Sequence, residues 1–349
     1  MRSASSPLER GGEAGYPACP MSPRRSGLAP FLLAPLLAAC LASCPDPAVA
    51  PAPAPSSAPS EQAGAPAVTF DSARAWRDLE KQLSFGPRPA GSAALDATRA
   101  WLEDELKKAG LEPRREPFRA PTPRGEVDFA NIYADLDAKG GDAQAPLVIF
   151  VSHFDTKRMD FPFVGANDAG SSTATLLELA RGLAAAGPRT IALRFLFVDG
   201  EEAVRPQWID PDNRYGSKHH AAQLKVRDER ERTKAVIVLD MCGDRDLRFH
   251  RDPYSTAWLS ELVFAAARRE GLAAHVDGPR DAIADDHLSF LEVGIPALDL
   301  IDFTYGPENS WWHTHEDTLD KCSEQSLAIT ARIVLAALPE LEKRLAPRR

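Results

Sequence analysis

The sequence predicts an α/β protein, a single three-layer domain around a mostly parallel central sheet with an antiparallel edge. Three observations carry this. Runs of Val, Ile and Leu of strand length recur with little polar alternation, as in strands covered on both faces. Helix-period stretches separate these runs, two of them ending at glycine. Strand followed by helix, repeated, makes parallel neighbours joined by right-handed crossovers.

The chain opens differently. From Met21 the residues MSPRRSGLAPFLLAPLLAACLASC place Arg24 and Arg25, an apolar run and then small residues ending in cysteine, the order of a signal peptide. The apolar run is shorter than the about 20 residues a bilayer span needs. Leu37-Ala38-Ala39 before Cys40 and Leu41-Ala42-Ser43 before Cys44 resemble a bacterial lipobox. Residues 1–44 are therefore expected to be a leader, cleaved outright or leaving a lipid on Cys40 or Cys44. Met21 is the better start, with residues 1–20 an extension ahead of it. Residues 45–67, rich in Pro and Ala, bury too little surface to order and are expected to be a disordered linker. This order places residues 68–349, the expected catalytic domain, on the secreted or periplasmic side of a bacterial envelope. Membrane contact would come only through the N-terminal lipid.

Within residues 68–349 two helical segments come first. LEPRREPFRA (111–120) and DFANIYADLDA (128–138) then read as the antiparallel edge. Strands follow at PLVIFVSH (146–153), TIALRFLFVDG (190–200), AVIVLDM (235–241) and IPALDLI (295–301). Helices are expected at SSTATLLELARGLAAAG (171–187), YGSKHHAAQL (215–224) and STAWLSELVFAAARREG (255–271). No internal repeat or second linker divides this stretch, so it reads as one domain, expected to be a monomer. A hydrophobic share of 44% with 26% charged residues suits a globular core. A net charge of −9, a pI near 5.5 and the lack of a basic stripe give no electrostatic reason to expect nucleic acid. Of five cysteines only Cys242 and Cys322 fall in the body, and no metal or redox spacing links them.

The chemistry gathers at strand ends. Ligands of such sheets bind outside the carboxyl ends of the strands. There the sequence puts His153 and Asp155, then Asp199, Glu201 and Glu202, then Asp240, while loops add Asp168 and His313. One such acid is as readily a helix cap or a salt-bridge partner. Several in one crevice repel unless a cation neutralises them, and His with Asp and Glu oxygens is a zinc-type donor set. Adjacent side chains of extended backbone point apart, so Glu201 and Glu202 are expected to divide the work, one binding metal and the other acting as a base.

Taken in order, HFDTK, GANDAG, DGEEA with Trp208, YGSKHHA, LDMCG, DDHLSFLEVGIP and WWHT resemble a zinc-exopeptidase-like family. It holds both co-catalytic zinc aminopeptidases and animal-type (type II) glutaminyl-peptide cyclotransferases. The resemblance runs from about residue 146 to 320 and implies the zinc-exopeptidase (phosphorylase/hydrolase-like) fold. It implies Asp168, Glu202 and His313 as ligands of one zinc. In the aminopeptidases a second zinc would add His153 and Asp240, and Asp155 would orient an imidazole. The acid pair followed by Trp208 and YGSK, Asp285 ahead of Asp286-His287, and Trp312 beside His313 resemble the cyclase branch. Asn167 and Ala284 depart from it, and the spacing from Glu202 to Trp208 is one residue longer than that branch implies. His219, His220, His250, His275 and His315 match no ligand position and are expected at the surface or as caps. Asp199 is expected to brace its turn.

The activity implied is conversion of N-terminal glutamine of peptides or proteins to pyroglutamate with loss of ammonia. Glu201 would carry the proton, with Asp240 and Asp285 sharing its hydrogen bonds, and Trp208 and Trp312 would shape the substrate pocket. One zinc is expected, or two if the chain is instead an aminopeptidase. A metal-free binding module on a lipid tether is the third class.

Overall fold

The computed structural model describes residues 68–346. The leader, Cys40, Cys44 and the Pro/Ala-rich tract lie outside the described residues. Two helices open the domain: α1 (Ser72–Leu83), capped by the Asp71 side chain on Arg74 N, and α2 (Ala93–Lys108), capped by Ser92 on Leu95 N. A hairpin follows, β1 (Pro113–Thr122) and β2 (Gly125–Leu136). Then come β3 (Leu147–His153), α3 (Ser172–Ala186), β4 (Ala192–Val198), α4 (Tyr215–Val226) and β5 (Thr233–Asp240). The chain closes with α5 (Ala257–Arg269), the short α6 (His287–Leu291), β6 (Ala297–Ile301) and α7 (Glu324–Leu345).

The six strands form one sheet in the order β1-β2-β4-β3-β5-β6. β3, β4, β5 and β6 are parallel, and the β1–β2 hairpin joins antiparallel through β2 against β4. Every residue of β3, β4 and β6 is buried, which explains why these strands read as unbroken apolar runs. Alternate residues serve two cores. Val148, Phe150, Phe195, Ile237 and Leu300 pack with α2, α3, α5 and α7, while Ile149, Leu196, Val238 and Ala297 pack with α4 and α6. The result is the expected three-layer α/β domain.

The order of strands also fixes where a ligand can bind. From β3 the chain steps to β4 on one side and later to β5 on the other, so the crevice opens at the carboxyl end of β3. Gly200 turns the chain off β4 at φ +68, where a Cβ would come within 2.4 Å of the Phe129 ring. Gly165, at φ +55, opens the loop that carries Asp168, and a Cβ there would meet the Asp168 carbonyl at 1.9 Å.

Two histidines overturn the surface expectation. His220 is fully buried with Nδ1 2.9 Å from Glu116 Oε2, its ring edge-on to Tyr133. His250 is buried with Nε2 2.9 Å from Thr304 Oγ1. In both, a polar partner inside the fold replaces water, which sequence spacing does not reveal. Cys242 and Cys322 are buried free thiols. Among the described residues no helix is long and apolar enough to cross a membrane.

Candidate active site

The carboxyl ends of β3, β4, β5 and β6 deliver His153, the Glu201–Glu202 turn, Asp240 and Ile301 to one crevice. The Gly165 loop adds Asp168, the segment before α6 adds Asp285, and the loop after β6 adds Trp312 and His313. Asp168, Glu201, Glu202, Trp208, Asp240, Asp285, Trp312 and His313 all line a single cavity of about 210 Å³, with Met241, Ile283, Ile301 and Phe303 as its apolar wall. His153 and Asp155 are buried behind it.

Two ligand-like groups share Asp168. In the first, His313 Nε2 is 2.9 Å from Glu202 Oε1 and 3.2 Å from Asp168 Oδ2. In the second, His153 Nε2 is 3.2 Å from Asp168 Oδ1 and 3.4 Å from Asp240 Oδ1. Within each trio the donor atoms lie within 4.8 Å of one another. The two glutamates diverge: Glu202 turns to His313, whereas Glu201 Oε2 approaches His153 Nδ1 at 3.8 Å.

The electrostatics call for a cation. Burial opposes charge on His313, yet the Glu202 and Asp168 carboxylates hold its pKa up at about 10. His153, wholly buried, is likewise pushed well above the usual imidazole range by Glu201, Asp155, Asp168 and Asp240. One imidazole nitrogen carries one proton and cannot satisfy two buried carboxylates, and Glu202 Oε2 has no hydrogen bond. Two carboxylates and an imidazole converging in this way fit a zinc ion, which Asp168, Glu202 and His313 would hold. Lys157, 2% exposed, brings its ammonium 3.3 Å from Glu202 Oε2 and offsets part of the negative charge.

Around these ligands the carboxyls are pushed toward their protonated forms. Burial raises Glu201 well above the ordinary glutamate range, with Glu202, Asp285 and Asp286 adding to the rise and His153 opposing it. Burial lifts Asp240 to about 7, again against His153. Trp312 stacks on the His313 ring at 3.9 Å between centroids and meets Phe303 edge-on.

Asp317 and Lys157 escape a sequence reading, whereas Asp155 and Asp199 were singled out by it. Asp317 accepts the backbone N–H groups of Asn167 (2.7 Å) and Asp168 (3.2 Å) and the Tyr305 hydroxyl at 3.0 Å. Asp155 does the same for Glu201 and Glu202. Asp199 braces the turn through Arg99 at 2.6 Å and the Ala130 N–H at 2.7 Å. The clue to Asp317 and Lys157 lay in their nearness to the WWHT and HFDTK motifs.

Residues 131–338 match the model of peptidase family M28. The chain belongs to that family. It is 30% identical over 299 residues to mouse glutaminyl-peptide cyclotransferase-like protein, a match covering 77% of this chain and 76% of the mouse protein. With Drosophila melanogaster glutaminyl-peptide cyclotransferase it shares 28% identity over 71% of this chain and 76% of the fly protein. In this family the chain also resembles a crystal structure of Acidobacteriales bacterium glutaminyl cyclase, with TM-score 0.76 and 33% identity, covering 83% of this chain and 99% of that one. Porphyromonas gingivalis glutaminyl cyclase matches with TM-score 0.70 at 25% identity, over 78% of this chain and 99% of that one.

Proposed function

We propose that this M28-family chain is a zinc-dependent glutaminyl-peptide cyclotransferase of the animal (type II) kind, converting N-terminal glutamine of peptides to pyroglutamate and releasing ammonia. The observation that carries it is the single cavity that sets the Asp168, Glu202 and His313 trio beside Glu201, Asp240 and Asp285 under two tryptophans. The cyclotransferase relatives at about 30% identity support the same reading.

Zinc held by Asp168, Glu202 and His313 would supply Lewis-acid polarisation of the substrate γ-carboxamide. The chain's own groups do the rest. Trp208 and Trp312 wall the cavity, and Trp208 Nε1, buried without a partner, offers a hydrogen bond to a substrate carbonyl. Glu201 takes a proton from the α-amine as that nitrogen bonds to the carbonyl carbon of the γ-carboxamide. It then gives the proton to the amide nitrogen, which departs as ammonia. Burial, joined by the neighbouring Glu202, Asp285 and Asp286 charges, raises Glu201 well above the ordinary glutamate range and so makes it a stronger base for this exchange. Amine and carboxamide belong to one residue, so holding them in ring-closing geometry supplies much of the rate.

The second trio, His153, Asp168 and Asp240, supports the alternative of a di-zinc aminopeptidase. In the cyclotransferase one zinc is bound and His153 stays a charge partner of its neighbours. The purified protein is assayed with Gln-β-naphthylamide and Leu-p-nitroanilide and its zinc counted. Ammonia release with one zinc supports the cyclotransferase, and leucine release with two supports the peptidase. From the leader-like order of residues 21–44 we also propose delivery to the envelope side of a bacterium, with Cys40 or Cys44 as lipid site.

A further inference from the structure

Arg88 stands in the loop FGPRPAGS (85–92) between α1 and α2, and its side chain is 0% exposed. An arginine is almost never fully buried unless a carboxylate pairs with it. Among the described residues no carboxylate pairs with Arg88, and every acceptor of its guanidinium is a backbone carbonyl. Nη1 donates to Val164 O at 2.9 Å, to Gly86 O at 3.2 Å and to Gln82 O at 3.4 Å, and Nε donates to Phe154 O at 3.2 Å. Nη2 is left without an acceptor. Burying a cation for neutral partners, with one of its donors unmatched, costs more than packing alone would require. Such breaches of local rules concentrate at functional sites.

The acceptors show what the cation holds. Phe154 lies between His153 and Asp155 at the end of β3, and Val164 precedes Gly165, which opens the Asp168 loop. One guanidinium therefore ties together the two segments that deliver His153 and Asp168. The Arg88 backbone strengthens the tie, its N–H donating to Thr156 Oγ1 at 2.9 Å and its carbonyl accepting the Thr156 N–H at 3.1 Å. The far end of the Asp168 loop is gripped from the same side. Gln82, fully buried near the end of α1, donates Nε2 to Gly170 O at 3.2 Å. Asp168 thus lies between two held carbonyls, those of Val164 and Gly170. The loop rests directly on α1, because a Cβ on Gly170 would come within 2.7 Å of Leu79 Cδ1. Burial lowers the Arg88 pKa to about 10 against the pull of Asp155, Asp317 and Asp168, so the guanidinium stays charged at neutral pH on the side of these acids.

We propose that Arg88 is a positioning residue for the metal trio: with Gln82 it clasps the Asp168 loop at both ends and holds the Asp168 carboxylate where Glu202 and His313 meet it. This rests on the zinc reading of that trio. Arg88 hydrogen-bonds no metal-ligand side chain and acts through the backbone at Phe154 and Val164.

The experiment measures the zinc dissociation constant by chelator competition, and Tm with and without zinc, for wild type, Arg88→Met, Arg88→Lys and Gln82→Met. Arg88→Met fills the space without a donor, and zinc affinity falls roughly 10–100-fold. The rise in Tm on saturation with zinc shrinks accordingly. Arg88→Lys keeps the charge and a donor toward the Val164 carbonyl, and binds zinc at least about threefold more tightly than the methionine variant. If Arg88→Met does not fold, Gln82→Met, which releases only the Gly170 carbonyl and removes no charge, weakens zinc about fivefold. A zinc dissociation constant within about twofold of wild type in the folded Arg88→Met or Gln82→Met variant overturns the inference, since a lower Tm at unchanged zinc affinity marks a packing role. So does a lysine variant that binds zinc no better than the methionine one. A wild-type protein that binds no zinc would instead overturn the metal reading on which the inference stands.

Discussion

Asp155 Oδ2 accepts the backbone N–H of Glu202 at 3.2 Å, and its other oxygen accepts that of Glu201 at 3.1 Å. The acid that follows His153 therefore fixes the turn presenting both glutamates. Asp155 Oδ1 also lies 3.4 Å from His153 Nδ1, so one carboxylate orients an imidazole and the Glu201–Glu202 backbone together. Asp155→Ala leaves two buried N–H groups unpaired, at about 1–3 kcal/mol each. Zinc affinity is expected to fall roughly 10–100-fold. Chelator competition and a denaturant melt read the two effects separately.

Glu201 is assigned to proton transfer and not to metal binding. Glu201→Gln keeps the volume and loses the base, so ammonia release should drop by about 10²–10⁴-fold with zinc content unchanged. Metal analysis of the same preparation distinguishes this from loss of the site. Activity near wild type would remove Glu201 from its role.

His153 separates the one-zinc from the two-zinc arrangement. In the cyclotransferase His153→Ala leaves the Asp168, Glu202 and His313 trio intact, and one zinc per chain remains. In a di-zinc peptidase the same change removes a ligand from a bound ion, and the count drops from two. Counting zinc in wild type and variant side by side decides it.

Much of this site was legible because its members stand at strand ends, where a parallel sheet must gather them. Asp168, Glu202 and His313 are far apart in sequence, but each sits beside a short motif, so order and topology together predicted their meeting. The remainder was hidden by the nature of its signal. Asp317 holds backbone N–H groups, and nothing in a carboxylate's identity says whether it binds metal or main chain. Arg88 stands in a loop between two helices, where an arginine reads as a surface charge. His220 and His250 were misplaced because an imidazole paired inside a fold leaves the same trace in sequence as one at the surface. The hairpin was visible as an edge, yet its pairing to β4 depends on register that no periodicity specifies.

Buried acids away from the metal ligands fix a pH trend. Burial raises Asp199 to about 7 despite Arg99, Asp302 to about 7, and Asp286 to about 8 with the Asp285 charge adding to it. Each carboxyl holds its proton in the folded state at pH values where the unfolded chain, with a pKa near 3.9, has lost it. The folded state thus binds more protons, and stability falls as pH rises through the folded pKa values. His219, His220 and His250, whose pKa values burial lowers, work in the opposite direction at and below their ordinary value of about 6.5. The clean window is therefore about pH 6.5 to 8, where Tm at saturating zinc should decline before levelling off. Asp302→Asn should flatten the decline, and a Tm that rises over that window would contradict the assignment.

Trp208 gives the last test. Its indole Nε1 is buried without a partner although the ring lines the cavity, and Lys157 Nζ lies 5.9 Å from the ring centroid while also approaching Glu202. An unpaired buried donor is tolerated where a ligand completes it, so the indole N–H is expected to bond the bound peptide. Trp208→Phe keeps most of the wall and removes the donor. KM should rise by roughly 5–30-fold, the equivalent of a hydrogen bond of about 1–2 kcal/mol, with kcat less affected. Trp312 stacks on His313, so Trp312→Phe should loosen a metal ligand and act on kcat and zinc retention as well. Steady-state kinetics of the two variants, with zinc measured in each, separates a substrate contact from a ligand support, and identical profiles would mean that neither tryptophan has the role given to it.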